Sequence, residues 1–145
     1  MSRFNRKSSK KAGSSPGTLV HVGERKTDDV HLALLQYDAE TVIEKPLALV
    51  EEVLPLLKSS ATTWLNIDGI HDISLMEHIG RLFGIHPLTL EDGLNTAQRP
   101  KTEAFDEYLF VVVKMLHYDT EKGRISSEQI SLVLGKTFLI TFQED

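Results

Sequence analysis

Two adjacent carboxylates, Glu91 and Asp92, are the residues of this 145-residue chain whose type and spacing most invite chemistry. They lie in a stretch, residues 84–101, bounded by a helix stop and a proline break. Gly84 can close a helix in the left-handed conformation, and Pro87 suits a first helical position because its missing N–H would go unpaired there anyway. The spacing predicts a short helix over 87–95. Glu91 and Asp92 then sit beyond its first turn, where the macrodipole no longer favours acids, so local helix electrostatics give no reason for the pair. Paired carboxylates can act as general acid and base. These two are sequence neighbours, however, and no second group of matching role accompanies them.

Other chemistries fail on spacing. Gly135-Lys136-Thr137 resembles the end of a phosphate-binding loop, but that loop requires glycine at 130, where Ile130 stands, and a strand rather than a helix follows. Six histidines raise the question of zinc, with His71 and His78 as the pair most able to share a helical face. No HExxH spacing and no cysteine support them. There is no Gly-x-Ser-x-Gly elbow and no evident Ser/His/Asp arrangement, so no enzyme activity is expected.

The elements that must position Glu91 and Asp92 belong to a single domain. The 41% hydrophobic content suits a globular core, and the absence of cysteine excludes disulfides and thiolate metal sites. No apolar run approaches the roughly 20 residues needed to span a bilayer. Residues 1–17 contain Arg3, Arg6, Lys7, Lys10 and Lys11 without an acid, so in a chain of net charge −5 the remainder carries −10. This stretch is read as a flexible basic tail, too poor in apolar residues to offset the cost of ordering it. It has no apolar segment of the secretory kind. Contact with anionic lipid or nucleic acid is conceivable for such a tail, but a solvated tail is the simpler reading. No nucleic-acid or small-molecule partner is expected.

Within residues 18–145, β-branched content predicts strands at 18–22 and 30–37. Pro46 opens a predicted helix carrying Leu47, Val50, Val53 or Leu54, and Leu57, which Pro55 ends or kinks. A buried strand follows at 62–67, closed by Asp68-Gly69. Asp72 is placed to cap a helix whose stripe is Ile73, Met76, Ile79, Gly80 and Phe83. Residues 105–117 read as a central strand covered on both faces. Two further strands, around 130–134 and 137–142, complete an antiparallel meander. The fold class is therefore α+β, a mixed and largely antiparallel sheet flanked by helices.

His86-Pro87-Leu88, Leu90-Glu91-Asp92, Leu94-Asn95 and Gln98-Arg99-Pro100-Lys101 together resemble the signature of the cytoplasmic domain of CorA-type magnesium and cobalt transporters. Trp64-Leu65-Asn66-Ile67 with Gly69-Ile70-His71 fits upstream. Tyr108-Leu109-Phe110, Val113-Lys114-Met115, residues 127–132 and Phe142-Gln143-Glu144 fit downstream in the same order. The resemblance implies a regulatory domain at the cytoplasmic face of the cell membrane, in a homopentamer whose subunit boundaries bind Mg2+ and also meet Co2+. It implies Asp92 as the primary metal ligand and Glu91 as the secondary one, completed by acids of the neighbouring subunit. That division suits the ion. Successive helical side chains diverge by about 100°, and Mg2+ takes one or two carboxylates while keeping several waters.

Two departures from the resembled pattern stand out. Gly93 replaces the more usual aliphatic residue, and glycine within a helix costs on the order of 1 kcal/mol relative to alanine. Local flexibility beside the candidate ligands is expected. The stalk helices, membrane spans and Gly-Met-Asn pore motif of the resembled family are absent from this sequence, which is read as part of a longer protein. Three alternatives stay open: a stand-alone interaction module of the same fold, a domain of a related zinc transporter, and a hydrolase with an unrecognised nucleophile.

Overall fold

The structure, a computed structural model, describes residues 13–144. Seven strands form one sheet: β1 (His31–Tyr37), β2 (Val42–Leu47), β3 (Thr62–Asp68), β4 (Lys101–Ala104), β5 (Tyr108–Asp119), β6 (Arg124–Gly135) and β7 (Phe138–Gln143). Their spatial order is β2-β1-β3-β7-β6-β5-β4. Every neighbouring pair is antiparallel except β3 and β7, which are parallel. The mixed, largely antiparallel sheet expected from the sequence is thus present. Helices α1 (Ile73–Phe83) and α2 (Pro87–Gly93) lie between β3 and β4 in the chain.

Period-two alternation sends one set of strand side chains to the helices. The register aligns Leu34, Leu65, Ile140, Val133 and Phe110 in one row across five strands, and all are essentially inaccessible to solvent. Met76 and Ile79 of α1 and Leu90 of α2 join them, with Val50 and Val53 from the turn before β3. The helices take the ends the sequence assigns. The Asp72 carboxylate accepts from the Leu75 N–H at 3.0 Å. Gly84 closes α1 at φ 66°, in the left-handed region that glycine enters at little cost. Pro87 then opens α2 behind His86, whose Nδ1 accepts from the Leu88 N–H at 3.2 Å.

Three expectations are corrected. Residues 18–22 form no strand; Val22 makes a single bridge to Asn95, with Val22 donating to the Leu94 carbonyl and accepting from the Thr96 N–H. Pro46 lies in β2 rather than opening a helix, and the apolar residues after it form two short 3-10 turns, Val50–Val53 and Leu56–Lys58. Pro46 fits there because β2 is an edge strand, where a missing N–H can face away from the ladder. Finally, β5 is covered on one face only. Phe110 and Val112 are buried, whereas Val113 and Met115 on the opposite face are 39% and 46% exposed.

Of the stretch 1–17 read as a flexible tail, residues 1–12 lie outside the described residues. Residues 13–17 reach α2, as detailed below.

Candidate functional site

Helix α2 carries both candidate residues, and three buried anchors fix it. Leu90 packs into the close approach of α1 at Gly80, where a Cβ would come within 2.3 Å of Leu90 Cδ1. The Tyr108 hydroxyl at the start of β5 accepts from the His86 N–H at 3.0 Å and lies 3.0 Å from Thr89 Oγ1. Gly93 rests over the buried Ser131 of β6. With Thr89, Leu90 and Gly93 facing inward, Glu91 and Asp92 are left half-buried at the surface.

The two carboxylates point to different partners, as their angular separation on the helix requires. Glu91 Oε2 accepts from the Gly17 N–H at 2.7 Å. This draws the turn closed by the Thr18 N–H to Ser15 carbonyl bond over the helix, enclosing a shallow cavity of about 340 Å3 lined by Ser14, Ser15, Pro16, Leu88, Glu91 and Asp92. Asp92 is held from the opposite side. Its Oδ1 accepts from the Gln98 side-chain amide at 2.6 Å, and its Oδ2 accepts from Lys101 Nζ at 2.5 Å. Lys101 Nζ also donates to Glu103 Oε1 at 2.8 Å and lies 5.6 Å from the centre of the Phe110 ring. Burial alone would lower the Lys101 pKa, but its hydrogen bonds to Asp92 and Glu103 outweigh this and hold it above the ordinary value.

The sequence singled out both acids but none of these partners. Gln98 and Lys101 belong to the four-residue stretch Gln98-Arg99-Pro100-Lys101, which the sequence gives no role of its own. The signal that could have found them is chemical: a half-buried acid beyond the dipole's reach needs donors, and Pro100 turns the chain back within a few residues of Asp92. The Gly17 contact had no such signal, because a backbone N–H leaves no mark in sequence.

Carboxylate oxygen is the ligand type a hard cation takes, but both oxygens of Asp92 are already partnered, Oδ1 by the Gln98 amide and Oδ2 by the Lys101 ammonium. Among the described residues, no group of three or more His, Asp or Glu side chains could hold a metal ion. A Mg2+ ion at α2 would therefore have Asp92 and at most Glu91 from this chain, with water or another chain supplying the rest. The histidines considered for zinc do not converge on one site. His78 on α1 pairs with Glu51 at 2.6 Å, His21 pairs with Glu144, and His71 lies ahead of α1 rather than on it. Gly135-Lys136-Thr137 lies at the β6–β7 turn, where Lys136 pairs with Glu107 at 3.1 Å.

No helix among the described residues is long and apolar enough to cross a membrane. The family model described as "CorA-like Mg2+ transporter protein" matches residues 59–145. A protein of Thermotoga maritima, "Cobalt/magnesium transport protein CorA", is 46% identical over 136 residues, covering 94% of this chain and 38% of that protein. A "Putative metal ion transporter YfjQ" of Bacillus subtilis is 35% identical over 60 residues, covering 41% of this chain and 18% of that one. The chain thus spans about two fifths or less of the curated relatives it matches. The solved soluble domain of CorA from Methanocaldococcus jannaschii aligns with a TM-score of 0.53 at 14% identity, over 76% of this chain and 39% of that one. The full-length CmaX protein aligns at 0.63 and 11% identity, over 84% of this chain and 37% of that one. At those identities the likeness is one of fold.

Proposed function

The chain belongs to the CorA family of Mg2+ transporter proteins, and from that premise we propose that it is the cytoplasmic regulatory domain of a divalent-cation transporter. In this reading residues 1–17 are a basic tail and residues 18–145 the sensing domain. Stalk and membrane-spanning segments belong to a longer protein, assembled as a homopentamer at the cytoplasmic face of the cell membrane. The transported ion is Mg2+ or Co2+, in keeping with the description of the Thermotoga maritima relative.

The observation that carries the sensing role is the environment of Asp92, a half-exposed carboxylate on a helix fixed by Gly80, Tyr108 and Ser131 and already receiving a cationic donor. Asp92 would be the first ligand of a regulatory Mg2+ and Glu91 the second, facing acids of an adjacent subunit. A bound divalent ion supplies positive charge between surfaces that otherwise repel. Without it, the like-charged boundary favours separation. With it, the closed symmetric assembly is favoured, by the difference in affinity between the two states.

The test is Mg2+ protection of the complete transporter against limited proteolysis. Asp92→Asn keeps the side-chain size and removes the charge, and it should raise the protecting Mg2+ concentration by about tenfold, equivalent to about 1.4 kcal/mol. Glu91→Gln should raise it less. An unchanged Asp92→Asn midpoint would remove Asp92 from the sensing role.

A further inference from the structure

We infer that Lys101 is a built-in competitor for the cation position at Asp92, so that Mg2+ binds there by displacing its ammonium toward Glu103. The inference rests on Asp92 being a cation ligand, and it adds what sets the concentration at which that ligand responds.

Lys101 is the first residue of β4, and its backbone is fixed opposite Val112 of β5. Its side chain is three-quarters shielded, at 26% exposure, and passes the Phe110 ring before reaching the carboxylates. The ammonium is therefore delivered to Asp92 Oδ2 by the fold, unlike a surface lysine that samples its neighbours freely. Gln98 occupies Oδ1. A divalent ion and an ammonium cannot both take Oδ2 at contact distance, because two positive charges would then lie within a few ångströms of each other. One must leave.

Lys101 has somewhere to go. Glu103 Oε1 already accepts from the same Nζ at 2.8 Å, and its side chain is 45% exposed. A lysine is a point charge on a flexible stem and can move from one carboxylate to the other without breaking a bidentate fork. The exchange replaces one cation by another at Asp92, so the carboxylate is not left bare in either state. The lysine lowers the apparent Mg2+ affinity by the strength of its hold on Asp92 and raises the threshold of the response. Lys136, paired with Glu107 at 78% and 76% exposure, belongs to a different surface and serves as the control.

The experiment is a MgCl2 titration of the chain at constant ionic strength, followed by NMR of the Asp92 carboxyl carbon and the Lys101 ammonium. In the parent, Asp92 should respond and the Lys101–Asp92 hydrogen bond should be lost over the same range of Mg2+. Lys101→Gln should lower the Asp92 midpoint about fivefold, the scale of a partly shielded ion pair. Lys101→Arg, which keeps the charge, should leave it within about twofold of the parent on the same scale, and Lys136→Gln should not move it. Equal or higher midpoints in Lys101→Gln would overturn the competitor role and leave Asp92 as a ligand. The role also falls if Asp92 saturates in the parent while the Lys101 ammonium signal does not change, a result independent of how any variant folds. Silence at Asp92 in parent and variant alike would overturn the competitor role, while the assignment of Asp92 stands or falls separately on the protection experiment with the complete transporter.

Discussion

The two faces of the sheet are built from the same strands and treated in opposite ways. On the helix-covered face, Leu34, Leu65, Ile140, Val133 and Phe110 form a closed apolar row. On the other face the next row is also apolar, with Leu35, Trp64, Leu139, Leu134 and Leu109 in register, yet Leu134 is 48% exposed. Ala33, Leu35, Trp64, Val113, Ile130 and Leu132 line a concavity there of about 540 Å3. A polar chain crosses the same face. Trp64 Nε1 donates to Thr141 Oγ1 at 2.9 Å, Thr141 donates to Asn66 Oδ1 at 2.6 Å, and Asn66 and Gln143 both donate to Asp68 Oδ1. The covered face holds the fold and positions α2. The open face satisfies its polar groups internally and leaves its apolar ones half-exposed among the described residues.

Neighbouring leucines on β1 give the strongest test of that difference. Leu34 is wholly buried on the covered face, and Leu35 is half-buried on the open one. Leu34→Ala should cost about 2–5 kcal/mol, the loss of transfer energy plus a cavity. Leu35→Ala removes the same atoms from a face that keeps contact with water, and should cost about 1 kcal/mol. Urea denaturation of both variants measures the contrast. Equal losses would mean that the open face is packed against something in solution, and the comparison would collapse.

Legibility in the sequence follows the same division. Signals that act within a few residues are readable: the Asp72 cap, the Gly84 stop and Pro87 at the start of α2. In β6 the sequence locates the strand but not its covered face, which carries Gln129, Ser131 and Val133 while Ile130, Leu132 and Leu134 lie on the open one. Apolar spacing at residues 18–22 and 46–57 is compatible with strand and helix; tertiary structure decides, Val22 bridging the distant Asn95 and residues 42–47 pairing with β1 as the second arm of a hairpin. For β5, an apolar run on both faces predicts burial on both, but composition records what a strand could bury and not what lies over it. The candidate site divides likewise. A short helix carrying Glu91 and Asp92 was foreseeable, whereas the donors that hold them arrive from Gly17, Gln98 and Lys101 through tertiary structure.

The next effect tests how tightly the covered face is closed at the corner that carries the site. Gly80 faces Leu90, and an added Cβ would meet Leu90 Cδ1 at 2.3 Å. The helix itself would gain about 1 kcal/mol from alanine over glycine. Leu90 is buried at 5% exposure, so relieving the clash forces either its rotamer or the position of α2, at a cost of about 1–3 kcal/mol. Gly80→Ala should therefore be destabilising by about 1 kcal/mol net and should shift the NMR signals of α2. A stabilised Gly80→Ala with unmoved α2 signals would show slack at this corner.

The smallest effect comes from the same substitution one turn beyond Leu90, and its sign should be opposite. Gly93 is buried at the last position of α2, yet a Cβ there would meet only Ser131 Cβ, at 3.9 Å, an ordinary van der Waals distance. Its backbone φ is not in the left-handed region, so alanine introduces no strain. Alanine also reduces the freedom of the unfolded chain, and Gly93→Ala should stabilise by about 0.4–1 kcal/mol. Thermal denaturation monitored by circular dichroism would show this as a rise in Tm, with slower amide exchange at Leu94 if fraying at the end of α2 is what alanine suppresses. Because residue 93 follows Asp92 directly, the variant also isolates local stiffness from charge: every group that touches Asp92 is kept. A Gly93→Ala chain that is less stable than the parent would mean that the space over Ser131 is occupied, and that the covered face is as tightly closed at the end of α2 as it is at Gly80.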